Sequence, residues 1–136
     1  MHLMRTIDFD ALRPIANADF EFRNAARFWT ATVRFDIGAE VHTVALKDGE
    51  VVDGGLDHAF SYDVRIVATP ETWHEMLAPV PRPFYHDLSA ARLHGLQIEA
   101  APEVFGPYYP ALRRLVELAR EQAIGVSALR QAQETL

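Results

Sequence analysis

The stretch from Trp29 to Val52 alternates apolar and polar residues around two tight-turn signals, and it constrains the fold more than any other part of the chain. Trp29, Ala31, Val33, Phe35 and Ile37 alternate with Thr30, Thr32, Arg34 and Asp36, the period of two that sends successive side chains to opposite faces of a strand. Gly38-Ala39 suits a two-residue hairpin loop with glycine first, and Asp48-Gly49 suits a second. A two-residue loop at 38 and 39 pairs Ile37 with Glu40, which sets Phe35 opposite His42, Val33 opposite Val44 and Ala31 opposite Leu46. The second loop independently pairs Leu46 with Val51. The two turns therefore agree on one buried face carrying Trp29, Val33, Phe35, Val44, Leu46 and Val51. The opposite face carries Thr32, Arg34, Asp36, Thr43, Ala45 and Val52 and is expected to be partly wet.

Helices are expected before and after this three-strand meander in the chain. Asp8 or Asp10 can cap a helix over residues 9–26 carrying Leu12, Ile15, Phe22 and Ala26, with Pro14 in its first turn. Gly54-Gly55 and the polar stretch through Ser61 interrupt the pattern, and Tyr62 to Ala68 alternates again as a fourth strand. Thr69-Pro70 supplies an N-cap oxygen and a first-turn proline for a helix whose stripe is Trp73, Met76 and Leu77. Pro79, Pro81 and Pro83 forbid its continuation. Phe84 to His94 reads as a short helix ending at a left-handed Gly95, and Leu96 to Ala100 as a short fifth strand. After Pro102 and a break at Gly106-Pro107, a helix from Pro110 to about Ala123 carries Leu112, Leu115, Val116 and Ala119. The expected fold is α+β: a five-stranded, mainly antiparallel sheet beginning with a β-meander, one face covered by helices. Residues 1–136 read as one domain with a core over 9–123 and a peripheral tail over 124–136.

Composition narrows the function classes. A chain of 136 residues, 49% hydrophobic and 24% charged, can bury a substantial core without disulfides or a structural metal. There is no cysteine, which excludes thiolate catalysis and thiolate metal ligation. The formal charge of −6 offers no basic stripe for a phosphate backbone, so nucleic acid is not an expected partner. No apolar run reaches the roughly 18 residues of a membrane span, and the start, Met1-His2-Leu3-Met4-Arg5, lacks a signal-peptide pattern. A cytoplasmic location is the expectation.

Six histidines raise the question of a metal, but His86 and His94 are eight apart and His74 lies across three prolines, so no helical ligand face forms and no metal or other cofactor is expected. His42 falls on the buried face opposite Phe35, where it needs a partner. It is read either as a core histidine bonded to backbone or water, or as a polar contact for a ligand. Asp8, Asp10, Glu71 and Glu75 read as caps and first-turn charges rather than as acid and base pairs, and no catalytic residue is assigned.

The order of Val33-Arg34-Phe35-Asp36-Ile37, the hairpin Lys47-Asp48-Gly49-Glu50, Tyr62-Asp63-Val64-Arg65-Ile66 before Thr69-Pro70-Glu71-Thr72-Trp73, and His94-Gly95-Leu96-Gln97-Ile98 resembles the sterol carrier protein type 2 family over residues 20–121. The segment Asp19 to Trp29 with Tyr108-Tyr109-Pro110-Ala111-Leu112 is also similar to a region preceding the catalytic domain in some bacterial α/β-hydrolase-like proteins. No Gly-x-Ser-x-Gly elbow occurs, so hydrolase activity does not carry over. The first resemblance implies a tunnel between sheet and helices for a lipid or other apolar small molecule, and the second leaves open a homodimer or a partner enzyme. The prolines and glycine that interrupt the aromatic-rich stretch 73–109 favour a helical cover with gaps. The candidate ligand contacts are accordingly Trp29, Val33, Phe35, His42 and Val44 from the sheet, with Trp73, Met76, Leu77, Phe84, Tyr85, Leu88, Phe105, Tyr108, Tyr109 and Leu112 from the cover.

Overall fold

Gly38 takes φ 62°, and Asp48 and Gly49 take φ 49° and 79°, the left-handed conformations that two-residue hairpin loops demand. They join β1 (Ala31–Ile37), β2 (Glu40–Lys47) and β3 (Glu50–Asp53). The register is the one the turns dictate: Ile37 faces Glu40, Phe35 faces His42, Val33 faces Val44, and Leu46 faces Val51. The computed structural model describes residues 4–53 and 61–134, with side chains described over 4–52 and 61–123. The expected Gly54-Gly55 interruption lies outside the described residues.

β4 (Val64–Ala68) runs parallel to β1, with Val33 beside Val64 and Phe35 beside Ile66, and β5 (Gln97–Ala100) runs antiparallel to β4. The sheet order is β3-β2-β1-β4-β5. The fold is α+β, its sheet antiparallel except where β1 meets β4.

Four of the helical expectations need correction. The single helix over 9–26 is two helices, α1 (Phe9–Ala18) and α2 (Phe20–Ala25). Asp19 between them is extended, and its carboxylate accepts from the Phe22 N–H at 2.8 Å, so a cap inside the apolar pattern starts a new helix. Pro14 lies inside α1, beyond its first turn, while Asp8 caps that helix by accepting from Ala11 N–H. The helix expected from Phe84 begins only at α4 (Leu88–Ala91), followed by a 3₁₀ turn over Arg92–His94 and the left-handed Gly95. Pro81, Pro83 and the positive φ of Phe84 keep the preceding segment irregular. Finally, α3 (Pro70–Met76) forms as Thr69-Pro70 implies, but the last helix, α5 (Pro102–Glu134), starts eight residues earlier than Pro110 and runs past Ala123. Pro102 fits its first position. Pro107 and Pro110 deprive the carbonyls of Glu103 and Gly106 of helical partners, and both those residues are exposed to water.

One face of the sheet meets the helices. Val33, Phe35, Val44, Leu46, Val51 and Ile66 from the strands pack in one apolar cluster with Leu12, Phe22, Trp73, Met76, Leu77, Leu88, Leu112 and Leu115. The other face holds a charged network. Arg34 and Arg65 are neighbours across the parallel β1 and β4. Between these like charges sits the buried Asp36, accepting from Arg34 Nε at 2.7 Å and Arg65 Nη2 at 2.7 Å. Burial alone would push the Asp36 carboxyl up, but the hydrogen bonds and charges of the two guanidiniums outweigh it and hold it below the ordinary carboxylate value.

Candidate functional site

Strand alternation delivers Val33, Phe35 and Val44 to the helix-facing side, and the three-and-four spacing of α3 delivers Trp73, Met76 and Leu77 against them. The Phe35 and Trp73 rings lie 5.9 Å apart, tilted at 56°, and the Trp73 indole N–H donates to the Asp36 carbonyl at 3.2 Å. Trp29 stacks on Tyr108 at 4.5 Å, nearly parallel, which fixes the start of α5 over the start of β1. Among the candidate residues, Trp29, Val33, Phe35, Val44, Trp73, Met76, Leu77, Leu88 and Leu112 are thus brought together in the buried cluster, with Phe105, Tyr108 and Tyr109 packed partly buried against it.

Tyr109 does more than pack. Its hydroxyl donates to the Asp87 carboxylate in a short contact and accepts from the Ser89 N–H at 3.3 Å. Asp87 makes no side-chain cap bond to α4, so the Tyr109 hydroxyl takes up the amide that a cap would. Burial and then the Asp87 bond push the Tyr109 phenol above its usual value.

Three candidates fall elsewhere. His42 lies on the expected face of β2 but is not buried: its side chain is 36% exposed, stacked on Phe9 at 4.4 Å and 3.4 Å from a Glu40 carboxylate oxygen. The face is part-exposed at this end of β2, where Phe9, the first residue of α1, stacks on the ring. Phe84 is half exposed with its ring 4.6 Å from His94. Tyr85 is partly buried at the edge of the core under the Arg82 guanidinium and lines an outward cleft of about 350 Å³ with Met4, Glu71, Thr72, His74, Glu75 and Arg82. In that cleft wall His74 Nδ1 accepts from the Arg5 N–H at 2.8 Å and its carbonyl accepts from Arg5 Nε. Among the described residues, no three histidine or acidic side chains converge as metal ligands.

An apolar gap of about 10 Å³ opens within the helix-facing layer, where α1 and α5 cross the meander. Phe9, Leu12, Val44, Val51 and Leu115 line it, with Arg13 at the rim. Of these, only Val44 was a candidate from the sequence. Val51 already stood on the predicted buried face, and Leu12 and Leu115 on the apolar stripes of their helices, but nothing local says that these two helices meet over β2 and β3. Among the described residues no buried side-chain nitrogen or oxygen lacks a hydrogen-bond partner. The layer is a surface for apolar contact.

The helix α1 that roofs the gap is tied down at both ends. Asp8 and Gln122 exchange two hydrogen bonds at its start. At its end the Asn17 carboxamide pairs with Val51, and Asp19 beyond it is gripped by Arg114 of α5 through Nε at 2.9 Å and Nη2 at 2.8 Å.

No known family and no curated protein matches the sequence. Solved structures do match in fold. A crystal structure of sterol carrier protein 2 superposes with a TM-score of 0.66 at 23% identity, over 82% of this chain and 92% of that one. A conserved hypothetical protein of Thermus thermophilus, described as possibly a sterol carrier protein, gives 0.65 at 20% identity, over 89% and 92%. A ubiquinone synthesis protein, UbiJ-SCP2, gives 0.55 at 14% identity, over 81% and 90%. The chain has the sterol carrier protein 2 fold.

Proposed function

We propose that this chain binds an apolar small molecule or lipid between the meander and the helices α1 and α5. The observation that carries the reading is the gap lined by Phe9, Leu12, Val44, Val51 and Leu115, an entirely apolar lining save for Arg13 at its rim. At about 10 Å³ the gap is a seam, and pockets for small molecules are roughly 300 Å³ or more. A ligand therefore enters by moving α1 outward. The extended Asp19 between α1 and α2 is a natural hinge for that motion, and the polar ties at Asp8 and Asn17 are bonds that water can replace. From the seam the ligand runs along Val44 toward Val33, Phe35 and Leu112, with His42 and Phe9 at its outer end. The fold supports the reading, since a solved protein that shares it is named for carrying sterols.

Titration with a fluorescent fatty acid and organic extraction of the purified protein test the proposal. Binding is expected, weakened about tenfold or more by Leu115→Trp, because filling the seam removes the space the ligand takes. Failure to take up any of a series of apolar probes, together with ligand-free extracts, would sink it.

A further inference from the structure

We propose that the outward cleft beside α3 is a second binding site, for a compact zwitterion of the α-amino acid class. The cleft measures about 350 Å³, within the size range of small-molecule sites, against about 10 Å³ for the seam. Its wall includes one side of α3, where Glu71, His74 and Glu75 follow at three- and four-residue steps and so stand side by side. Glu75 is matched by a cation: its carboxylate accepts from Arg82 Nε at 2.9 Å. Glu71 has no hydrogen-bond or ion-pair partner among the described residues, although a second carboxylate one turn away disfavours its charge. The hydrogen-bonding groups of the same wall are donors. His74 Nδ1 accepts from the Arg5 N–H at 2.8 Å, so a neutral ring carries its proton on Nε2, which has no partner among the described residues. Thr69 Oγ1 accepts from the Thr72 N–H and donates to Thr72 Oγ1, which leaves the Thr72 hydroxyl its own proton to donate. Arg82 spends only its Nε on Glu75.

Neither sign of charge alone suits this wall. A simple carboxylate would satisfy the donors but meet the unmatched Glu71, while a simple amine would satisfy Glu71 but offer the donors nothing that accepts. An α-amino acid carries both groups on one carbon, so its ammonium can pair with Glu71 while its carboxylate accepts from His74, Thr72 and Arg82. Met4 and Tyr85 supply apolar surface for its side chain. The Arg5 amide is a positioning group in this arrangement, because its bond to Nδ1 decides which nitrogen of His74 holds the proton.

The inference goes beyond the apolar seam and does not depend on it. Calorimetric titration of the wild-type protein at low salt compares L-leucine with isoamylamine, which lacks the carboxylate, and with isocaproate, which lacks the ammonium. Leucine is expected to bind, and each single-charge analogue to bind about tenfold or more weakly. Glu71→Gln should weaken leucine about tenfold without weakening isocaproate, and Arg82→Gln should weaken leucine without weakening isoamylamine. Both side chains are exposed, that of Arg82 by 67%, so the fold should tolerate the changes. Glu50→Gln, exposed on β3, should bind as wild type. If a cleft variant does not melt cooperatively, the three-compound comparison on wild type decides alone. Three results would overturn the proposal: no binding of leucine, an analogue binding as tightly as leucine, or wild-type affinity in the folded Glu71→Gln. Equal loss in Glu50→Gln would also overturn it, as would competition between leucine and a fluorescent fatty acid, which would return leucine to the seam.

Discussion

The Asn17 carboxamide donates to the Val51 carbonyl at 2.9 Å and accepts from the Val51 N–H at 2.8 Å. A side chain of α1 thus makes on the outer edge of β3 the pair of bonds that another strand would make, and it covers that edge. Asn17→Ala leaves both backbone groups without protein partners and should cost about 1–3 kcal/mol. Urea unfolding measures it. Because the same bonds hold the roof of the seam, the variant should also take up an apolar probe faster, while an unchanged rate would separate α1 from ligand entry.

Asp36 gives the sheet a pH dependence of known sign. Its carboxyl is held below the ordinary value in the folded protein. The stabilisation is therefore fully present above the unfolded value of about 3.9 and is lost as the pH falls through the lower native value. Asp36→Asn leaves Arg34 and Arg65 side by side and should cost about 1–3 kcal/mol at neutral pH. The difference from wild type should shrink in acid. A difference that stayed constant on acidification would locate the effect in packing.

Tyr109→Phe removes the hydroxyl shared by Asp87 and the Ser89 amide and should cost about 1–2 kcal/mol. Faster hydrogen exchange should be confined to the start of α4. In the wild type the raised phenol value means that this stability persists below the ordinary tyrosine range and is lost as the pH rises through the native value. Ultraviolet titration of wild type and Tyr109→Phe should accordingly differ by one phenol transition lying above the ordinary tyrosine value.

Asp19 does two jobs that substitutions can separate. Asp19→Asn keeps an oxygen to cap α2 but loses the ion pair with Arg114, whereas Asp19→Ala loses both. Thermal melts should rank wild type above the asparagine variant and the asparagine variant above the alanine one, the last step being about 1 kcal/mol. Equal melting of the two variants would mean that the cap contributes nothing.

Much of the sheet was legible because turns specify register locally. Gly38 sets every partner between β1 and β2, and the Asp48-Gly49 pair sets Lys47 opposite Glu50 and Leu46 opposite Val51, while a bulge after that pair puts Ala45 opposite Asp53 rather than Val52. The Thr69-Pro70 start of α3 and the left-handed Gly95 were legible for the same reason. The parallel pairing of β1 with β4 has no local signal, since it depends on where the intervening chain returns. The break at Asp19 was hidden because its cap competes with an apolar spacing that continues across it. His42 was placed on the correct face, but its burial depended on how far α1 reaches over β2. The seam eluded the sequence altogether, being a property of how two helices cross.

The position of β1 between β2 and β4 also sets an order of events during folding. Its contacts with β2 close across a two-residue loop, as in Ile37 with Glu40, while those with β4 join residues as far apart as Val33 and Val64. Closing the longer loop costs more chain entropy before any contact rewards it. The hairpins therefore assemble first, and the rate of reaching the native state is governed by the arrival of β4 at a strand that is already paired on its other side.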